Sequence, residues 1–381
     1  MAKYQYMPLN DNVEEMFIGP FGSGLKNDSF VDESNAFCMV YEQKHAIKKT
    51  MKLETRYVNR EKYEELKRFN IHGGDIIVSC RGTIGETYIV PDDAPLGIMH
   101  PSIMKIRLKP GVYNKQYFNL LLRNYLKQHE DAANGSGIKM AISAKELGAT
   151  LFPVPNMAEQ NQIASAFNQV EELIALRKEQ LAKLDQLVKS RFIELFGDPE
   201  TNPKGLEKVL LSDIAEYFNG LTYSPDNVTN DGTIVLRSSN IQNSQLDFAD
   251  TVRVNSSIKD KLFVKDNDIL MCSRNGSARL VGKVALIKNL SEPMTFGAFM
   301  MIIRSRYYPY LMTYFQMDAF RRQIATGATT TINQITGNML NKISLPLPNM
   351  ADINEFATFV EQTDKSKFIS VDIITQLITK F

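Results

Sequence analysis

The sequence of 381 residues has no tryptophan, only three cysteines and only four histidines. Cys38, Cys80 and Cys272 lie far apart and form no Cys-x-x-Cys pair, and His45, His72, His100 and His129 are equally scattered. A four-ligand structural zinc site therefore has nothing to assemble from. Dispersed cysteines in odd number make no disulfide framework, so a reducing, cytoplasmic setting is expected. Charge of one sign is also lacking: Lys plus Arg total 44 against 43 Asp plus Glu, a formal net charge of +1. Global charge thus supplies no attraction to nucleic acid, and any DNA binding must rest on local patches or on partner chains. No apolar run reaches the about 18 residues a membrane span needs, and Met1 to Tyr6 carry no apolar signal core.

Enzyme signatures are missing too. Gly19-Pro20-Phe21-Gly22-Ser23-Gly24-Leu25-Lys26 resembles a phosphate loop, but Leu25 separates the last glycine from Lys26, which then cannot reach the phosphates. No Asn-Pro-Pro-Tyr or Asp-Pro-Pro-Tyr of an amino-methyltransferase occurs, and no Gly-x-Ser-x-Gly elbow. Asp75 and Asp268 recur at equivalent turn positions, which points to structure rather than to a nuclease centre.

What the chain does contain is globular: 44% hydrophobic and 23% charged residues, in a length suited to two or three units. It also repeats itself. Phe152-Pro153-Val154-Pro155-Asn156-Met157-Ala158-Glu159 returns as Leu345-Pro346-Leu347-Pro348-Asn349-Met350-Ala351-Asp352, an offset of 193. At the same offset Gly74–Ser79 matches Asn267–Cys272, Tyr117 matches Tyr310 and Leu147 matches Leu340, with compensating insertions near residues 86 and 110. A period of half the chain means two copies, not a solenoid array.

In the first copy, Gly74–Cys80, Thr87–Val90 and Ser102–Leu108 read as strands, and Tyr117–Gln128 as a short amphipathic helix. Asn134-Gly135-Ser136-Gly137 reads as a polar loop, and Ser143 as the cap of a turn with Glu146 three residues on. Met157 to Phe196 has neither Pro nor Gly. Its apolar residues, Ile163, Phe167, Val170, Ile174, Leu181, Leu184, Val188, Phe192 and Leu195, fall at heptad-like steps. This predicts a helix roughly 60 Å long, capped by Asn156 and stopped by Gly197-Asp198-Pro199. So long a stripe needs a partner helix. Met350 to Phe381 offers one through Ile353, Phe356, Val360, Phe368, Val371, Ile374, Leu377 and Phe381, with a polar stretch at Thr363–Lys367. The expected domains are 1–155, a central helix at 156–197, 198–348, and a distal helix at 349–381.

This order of parts resembles the specificity subunit of type I restriction–modification systems. The resemblance is carried by Phe152–Gln160 and its copy at 345–352, and by Glu194-Leu195-Phe196-Gly197-Asp198-Pro199-Glu200-Thr201-Asn202-Pro203-Lys204-Gly205. Each Asp-Ile strand followed by a polar, Arg-containing loop adds to it. Leu206 stands where the family often has Trp, and Asn354 matches Asn161 without a preceding Glu-Gln pair. The resemblance implies an α+β fold with two strand-rich target recognition domains in tandem. Each would be followed by a long helix, the two helices pairing as an antiparallel coiled coil with pseudo-two-fold symmetry. It implies a non-catalytic subunit in which each domain reads half of a bipartite double-stranded DNA target. The helices would set the gap and dock two methyltransferase subunits, with two restriction (motor) subunits added for cleavage. S-adenosylmethionine, ATP and Mg2+ would serve those partners and not this chain. The specificity chain of a type II-like restriction system, a coiled-coil adaptor and an autonomous enzyme are the competing readings.

Base edges are read by Arg, Lys, Asn, Gln, Ser and Thr, and phosphates by the same side chains. In the first copy the candidates are Arg81 and Thr83 after the strand, then Ser136 and Lys139, then Ser23 and Lys26. In the second they are Arg274 and Asn275, then Thr329, Thr330 and Asn333, with Arg237, Ser239 and Asn240 as a third cluster. The plain alternatives are a fold-supporting ion pair for Arg81 or Arg274, ordinary surface lysines at 26 and 139, and a simple turn at Thr329–Thr331. His100 reads as structural.

Overall fold

The computed structural model describes residues 4–20, 24–81, 83–134, 143–325 and 334–380, with the backbone alone for 130–134 and 368–380. The chain divides into two units, Met1–Leu173 and Ile174–Phe381.

The strands of the first unit are β1 (Gln5–Pro8), β2 (Val13–Ile18), β3 (Cys38–Tyr41), β4 (Tyr57–Val58), β5 (Asn70–Ile71), β6 (Ile76–Ser79), β7 (Thr87–Ile89), β8 (Gly97–Met99), β9 (Ile103–Leu108) and β10 (Leu151–Val154). Its helices are α1 (Gln43–Lys48), α2 (Arg60–Glu65), α3 (Lys115–Asn134), α4 (Ala144–Ala149) and the start of α5 (Met157–Phe196). One sheet has the order β2-β9-β6-β7, a second β4-β3-β8-β5 with β3 and β8 parallel, and β1 pairs with β10. Strand β6 shows why its sequence is apolar throughout: Ile76 and Val78 pack toward Phe118 and Leu122 of α3, while Ile77 packs toward Tyr41 and Met99 of the second sheet. A strand buried on both faces has no polar alternation.

The second unit repeats this plan. Its strands are β11 (Lys208–Leu210), β12 (Glu216–Asn219), β13 (Val228–Thr229), β14 (Thr233–Leu236), β15 (Ile241–Gln242), β16 (Gln245–Leu246), β17 (Val252–Val254), β18 (Ile269–Cys272), β19 (Val284–Leu286), β20 (Met294–Phe296), β21 (Met300–Arg304) and β22 (Ser344–Pro346). Its helices are α6 (Leu211–Ile214), α7 (Tyr308–Tyr314), α8 (Asp318–Ala325), α9 (Gly337–Leu340) and α10 (Met350–Lys380). The sheets run β12-β21-β18-β19 and β13-β17-β14-β20, with β14 and β20 parallel, and β11 pairs with β22. Ile269 and Met271 of β18 face one core cluster, Leu270 and Cys272 another.

Helix α5 begins where the Asn156 side chain accepts the Glu159 N–H (2.9 Å), and it ends at Gly197, whose φ of 78° only glycine adopts without strain. Within the second unit its last turns run antiparallel to α10. Arg191 pairs with Glu355, and Asp185 with Lys367 at 2.8 Å. Phe192 stacks on Tyr310 (4.9 Å) and meets Phe196 and Phe356 edge-on.

Helix α10 runs through Thr363–Lys367 as one element, and there Lys367 pairs with Asp185 at 2.8 Å. Two expectations need correction. Helix α3 is longer than Tyr117–Gln128, running from Lys115 to Asn134. Near the start of α5, Ala164 is buried and Ile163 exposed, so the buried stripe lies one residue over from the expected seam. The phosphate-loop look-alike leads only to a 3-10 turn at Asn27–Ser29 and buries Leu25, so no long helix N-terminus follows it. The rest of the expected Asn134–Gly137 loop lies outside the described residues. Among the described residues no helix is long and apolar enough to cross a membrane.

Candidate nucleic-acid interface

In both units the carboxylate at the start of the doubly buried strand is clamped in the same way. Asp75 accepts the His72 N–H at 2.8 Å and takes both Arg107 donors at 2.7 Å. Asp268 accepts the Lys265 N–H at 2.8 Å and takes both Arg304 donors at 2.7 Å. A bidentate pair fixes orientation as well as charge. It ties the start of β6 to β9 and the start of β18 to β21, and it accounts for Asp75 and Asp268 as structural residues.

At the far end of β6 the chain leaves the sheet through a loop closed at its base. Ser79 N–H donates to the Glu86 carbonyl (2.8 Å), Gly85 N–H to the Ser79 carbonyl (2.9 Å), and Cys80 N–H to the Ser102 carbonyl (2.8 Å). Arg81 and Thr83 stand exposed on this loop. The end of β2 is drawn in beside it. Gly19 N–H donates to the Ile103 carbonyl (2.9 Å), and a Cβ at Gly19 would stand 2.3 Å from the His100 oxygen, so only glycine allows the approach.

Around His100 the cations gather. Its Nδ1 meets the Ser102 hydroxyl at 2.7 Å, and its pKa is lowered first by burial and then by the positive charge of Arg56, with Arg81 and Lys44 adding to it against Glu42. Arg56 and Lys44 are already engaged by Glu42, and Arg56 lies 4.1 Å over the Phe30 ring. Arg81 has no carboxylate partner among the described residues, so the plain ion-pair reading has no support there.

The second unit builds the same exit from β18. Ser273 and Arg274 N–H groups both donate to the Phe299 carbonyl, at 2.9 and 3.1 Å. Arg274 is exposed, its guanidinium 5.6 Å over the Phe299 ring, with no carboxylate partner among the described residues. The Asn275 side chain accepts the Ser277 N–H (2.9 Å) and donates to the Ser238 hydroxyl (3.3 Å). That last bond joins two polar clusters that are 37 residues apart in sequence.

Not every candidate fits. Asn240 is wholly buried (0% exposed). It accepts the Arg237 N–H and donates to the Asp247 and Asp250 carbonyls, each at 2.8 Å. With its polar atoms spent it braces the loop and is withdrawn as a DNA contact. Arg237 is half-buried and held by Asp250 at 2.7 Å. Ser239 is half-buried in the same turn, and its carbonyl accepts the Gln242 side chain (3.1 Å). Lys26 is exposed ahead of the Asn27–Ser29 turn, with no hydrogen bond to the Arg81 loop among the described residues. Ser23, Ser136, Lys139, Thr329, Thr330 and Asn333 lie outside the described residues.

Lys44, Arg56 and Phe299 were absent from the sequence candidates. One signal would have found Phe299. Between residues 86 and 110 the offset is 197 rather than 193, as the equivalence of Arg107 with Arg304 requires. That offset sets Phe299 opposite Ser102. Among the described residues no group of three or more His, Cys, Asp or Glu side chains is placed to hold a metal ion.

The type I restriction modification DNA specificity domain family matches the chain twice, over residues 33–186 and 203–379. The chain is 28% identical over 192 residues to the type I restriction enzyme StySPI specificity subunit of Salmonella potsdam, covering 47% of this chain and 41% of that protein. It is 26% identical over 192 residues to the EcoKI specificity subunit of Escherichia coli strain K12, with the same coverage. The matched stretch thus spans less than half the length of these relatives. Among solved structures, the fold resembles a chain from a study of complex assembly and conformational transition of the type I R-M system (TM-score 0.56, 15% identity, 100% of this chain and 95% of that one). It also resembles the type I restriction-modification S subunit from M. genitalium (TM-score 0.54, 13% identity, 100% and 94%). At these identities the structural likeness concerns the fold.

Proposed function

The chain belongs to the type I restriction modification DNA specificity domain family, and from that premise we propose that it is a non-catalytic DNA-recognition subunit. Each unit reads one half of a bipartite duplex target. The long helices α5 and α10 set the gap and dock two methyltransferase subunits, and two restriction subunits join for cleavage. If both readers face the same side of the duplex, the half-sites lie about one turn, or about 34 Å, apart. S-adenosylmethionine, ATP and Mg2+ belong to the partners; this chain's part is to place a target adenine where a partner can flip and methylate it.

The observation that carries this reading is the twice-built loop. On one scaffold, locked by one Asp–Arg clamp, each unit extends an exposed arginine with no carboxylate partner among the described residues. Arginine is the side chain best suited to guanine edges and to phosphates, and here it recurs at the matching point of both loops. Arg81, Thr83, Arg274 and Asn275 are the leading contacts. Lys26, Ser239, Arg237 and the six candidates outside the described residues stand behind them. A pure adaptor reading leaves the paired loops without a purpose.

Mapping modified adenines in the host genome, beside intact partner chains, tests the proposal. The expected result is a split motif with adenine in both halves. Arg81→Ala should cost about 1–3 kcal/mol at one half-site and leave the other unchanged, and Arg274→Ala should do the converse. Equal losses at both halves for either variant, or an unmodified genome, would overturn it.

A further inference from the structure

The two reading loops share the hydrogen bonds at their base, but the side chains set beside them differ. In the first unit the turn from His100 to Ile103 closes with the Ile103 N–H on the His100 carbonyl (3.2 Å). In the second, the turn from Gly297 to Met300 closes with the Met300 N–H on the Gly297 carbonyl (2.8 Å). In each, the third residue's carbonyl receives the N–H at the start of the reading loop: Ser102 from Cys80, Phe299 from Ser273. Ser102 and Phe299 are therefore structural equivalents, and their side chains do opposite things. Ser102 is buried and satisfied by His100. Phe299 is 61% exposed, more than any other large apolar side chain described as exposed.

A lone exposed phenylalanine needs no explanation by itself. This one has company that gives it one. Its carbonyl anchors Arg274, its ring underlies the Arg274 guanidinium at 5.6 Å, and Asn275 and Ser238 bond to each other beside the same loop. A cation over an aromatic face at an exposed site is attracted by about 0.5–1 kcal/mol. The result is an exposed apolar side chain set among donors suited to base edges. In the major groove only thymine presents an apolar group, its 5-methyl, and phenylalanine is among the side chains that contact it.

We propose that Phe299 is a specificity-determining residue of the second unit, packing against the methyl group of a thymine while Arg274 contacts the neighbouring base. The inference rests on the DNA-recognition role proposed above. It also makes the two half-sites different in kind, because the first unit offers a buried serine at the equivalent point.

The full chain, with the chains that co-purify with it, is used to select duplexes from a library randomised in both half-sites. Wild type is expected to enrich thymine at one position of one half. Phe299→Ser should make that position degenerate and leave the other half unchanged, while Phe299→Leu, which keeps an apolar tip, should retain the preference. On the selected duplex, uracil in place of that thymine removes only the methyl group. It should weaken wild-type binding about fourfold, the factor for one buried methyl-sized group, and leave Phe299→Ser unaffected. If wild type selects a split sequence but Phe299→Ser selects the same one, or if uracil makes no difference, this proposal is overturned and the recognition role stands. If wild type enriches no sequence at all, the recognition role falls first, and the proposal with it.

Discussion

Lys105 and Ile302 occupy equivalent points of the two units, opposite Ile77 and Leu270 in register. The lysine is fully buried. Its ammonium donates to Glu15 at 2.7 Å and to the Asn70 carbonyl at 2.8 Å, and lies 4.7 Å over the Phe17 ring. Burial pulls its pKa down, and the bond to Glu15 offsets part of that. Burial also pushes the Glu15 carboxyl up, but the bond from Lys105 and the charges of Lys105 and Arg107 outweigh it, leaving the pKa below its ordinary value. The pair is thus asymmetric. Lys105→Ile copies the second unit and leaves Glu15 with Arg107 at 2.8 Å, so stability should change little or rise. Glu15→Ala strands a buried cation and should lower stability by about 2–3 kcal/mol, less than for a fully buried pair because Glu15 is partly open to water. Urea midpoints of the two variants decide the matter; equal losses would refute the asymmetry. At this scale the sequence was legible only in part. The repeat pointed to structural roles for Asp75 and Asp268, but nothing local marked Arg107 and Arg304 as their partners. A polar cluster read as a reader, Arg237 to Asn240, has Asn240 folded inward, because burial of a short polar side chain depends on carbonyls seven and ten residues away.

Elements were more legible, because periodicity survives without tertiary knowledge. Two long helices follow from runs free of Pro and Gly, and the capping asparagines at 156 and 349 sit at their starts. The strands β6 and β18 were visible as apolar runs. What periodicity missed is how a polar stretch is tolerated in α10, since Asp185 and Lys367 are far apart in sequence. The pairing of α5 with α10 in the second unit rests on packing rather than charge. Phe192 is fully buried between Tyr310, Phe196 and Phe356. Phe192→Ala should destabilise the second unit by about 3–5 kcal/mol, seen as a lower denaturation midpoint. Asp185→Asn, at an exposed end of an ion pair, should leave that midpoint nearly unchanged. A larger loss from the charge variant than from the aromatic one would reverse this ranking.

For the molecule as a whole, the duplication was plain in the sequence, and its consequence is electrostatic. Two copies of the same scaffold carry 44 basic and 43 acidic residues between them. Part of the basic set is engaged internally: Arg107, Arg304, Arg253, Arg237 and Lys105 all hold carboxylates. Arg81 and Arg274 stand exposed at matching points of the two loops, without carboxylate partners among the described residues. Affinity for duplex DNA comes largely from counterions released as phosphates are neutralised, and the logarithm of the binding constant falls with the logarithm of salt in proportion to their number. A near-neutral chain that presents one short loop to each half-site should neutralise about two to four phosphates, giving a slope of about −2 to −4. Its DNA binding alone should be weak and lost by moderate salt. The docked methyltransferase subunits proposed above add their own basic surfaces to the count, and the assembled complex should bind tightly with a slope of about −6 or steeper. Titrating labelled duplex with the chain alone and with its co-purified partners, from low to physiological salt, measures both slopes. A steep slope and tight binding for the isolated chain would mean that its own loops, not its partners, supply the electrostatic grip.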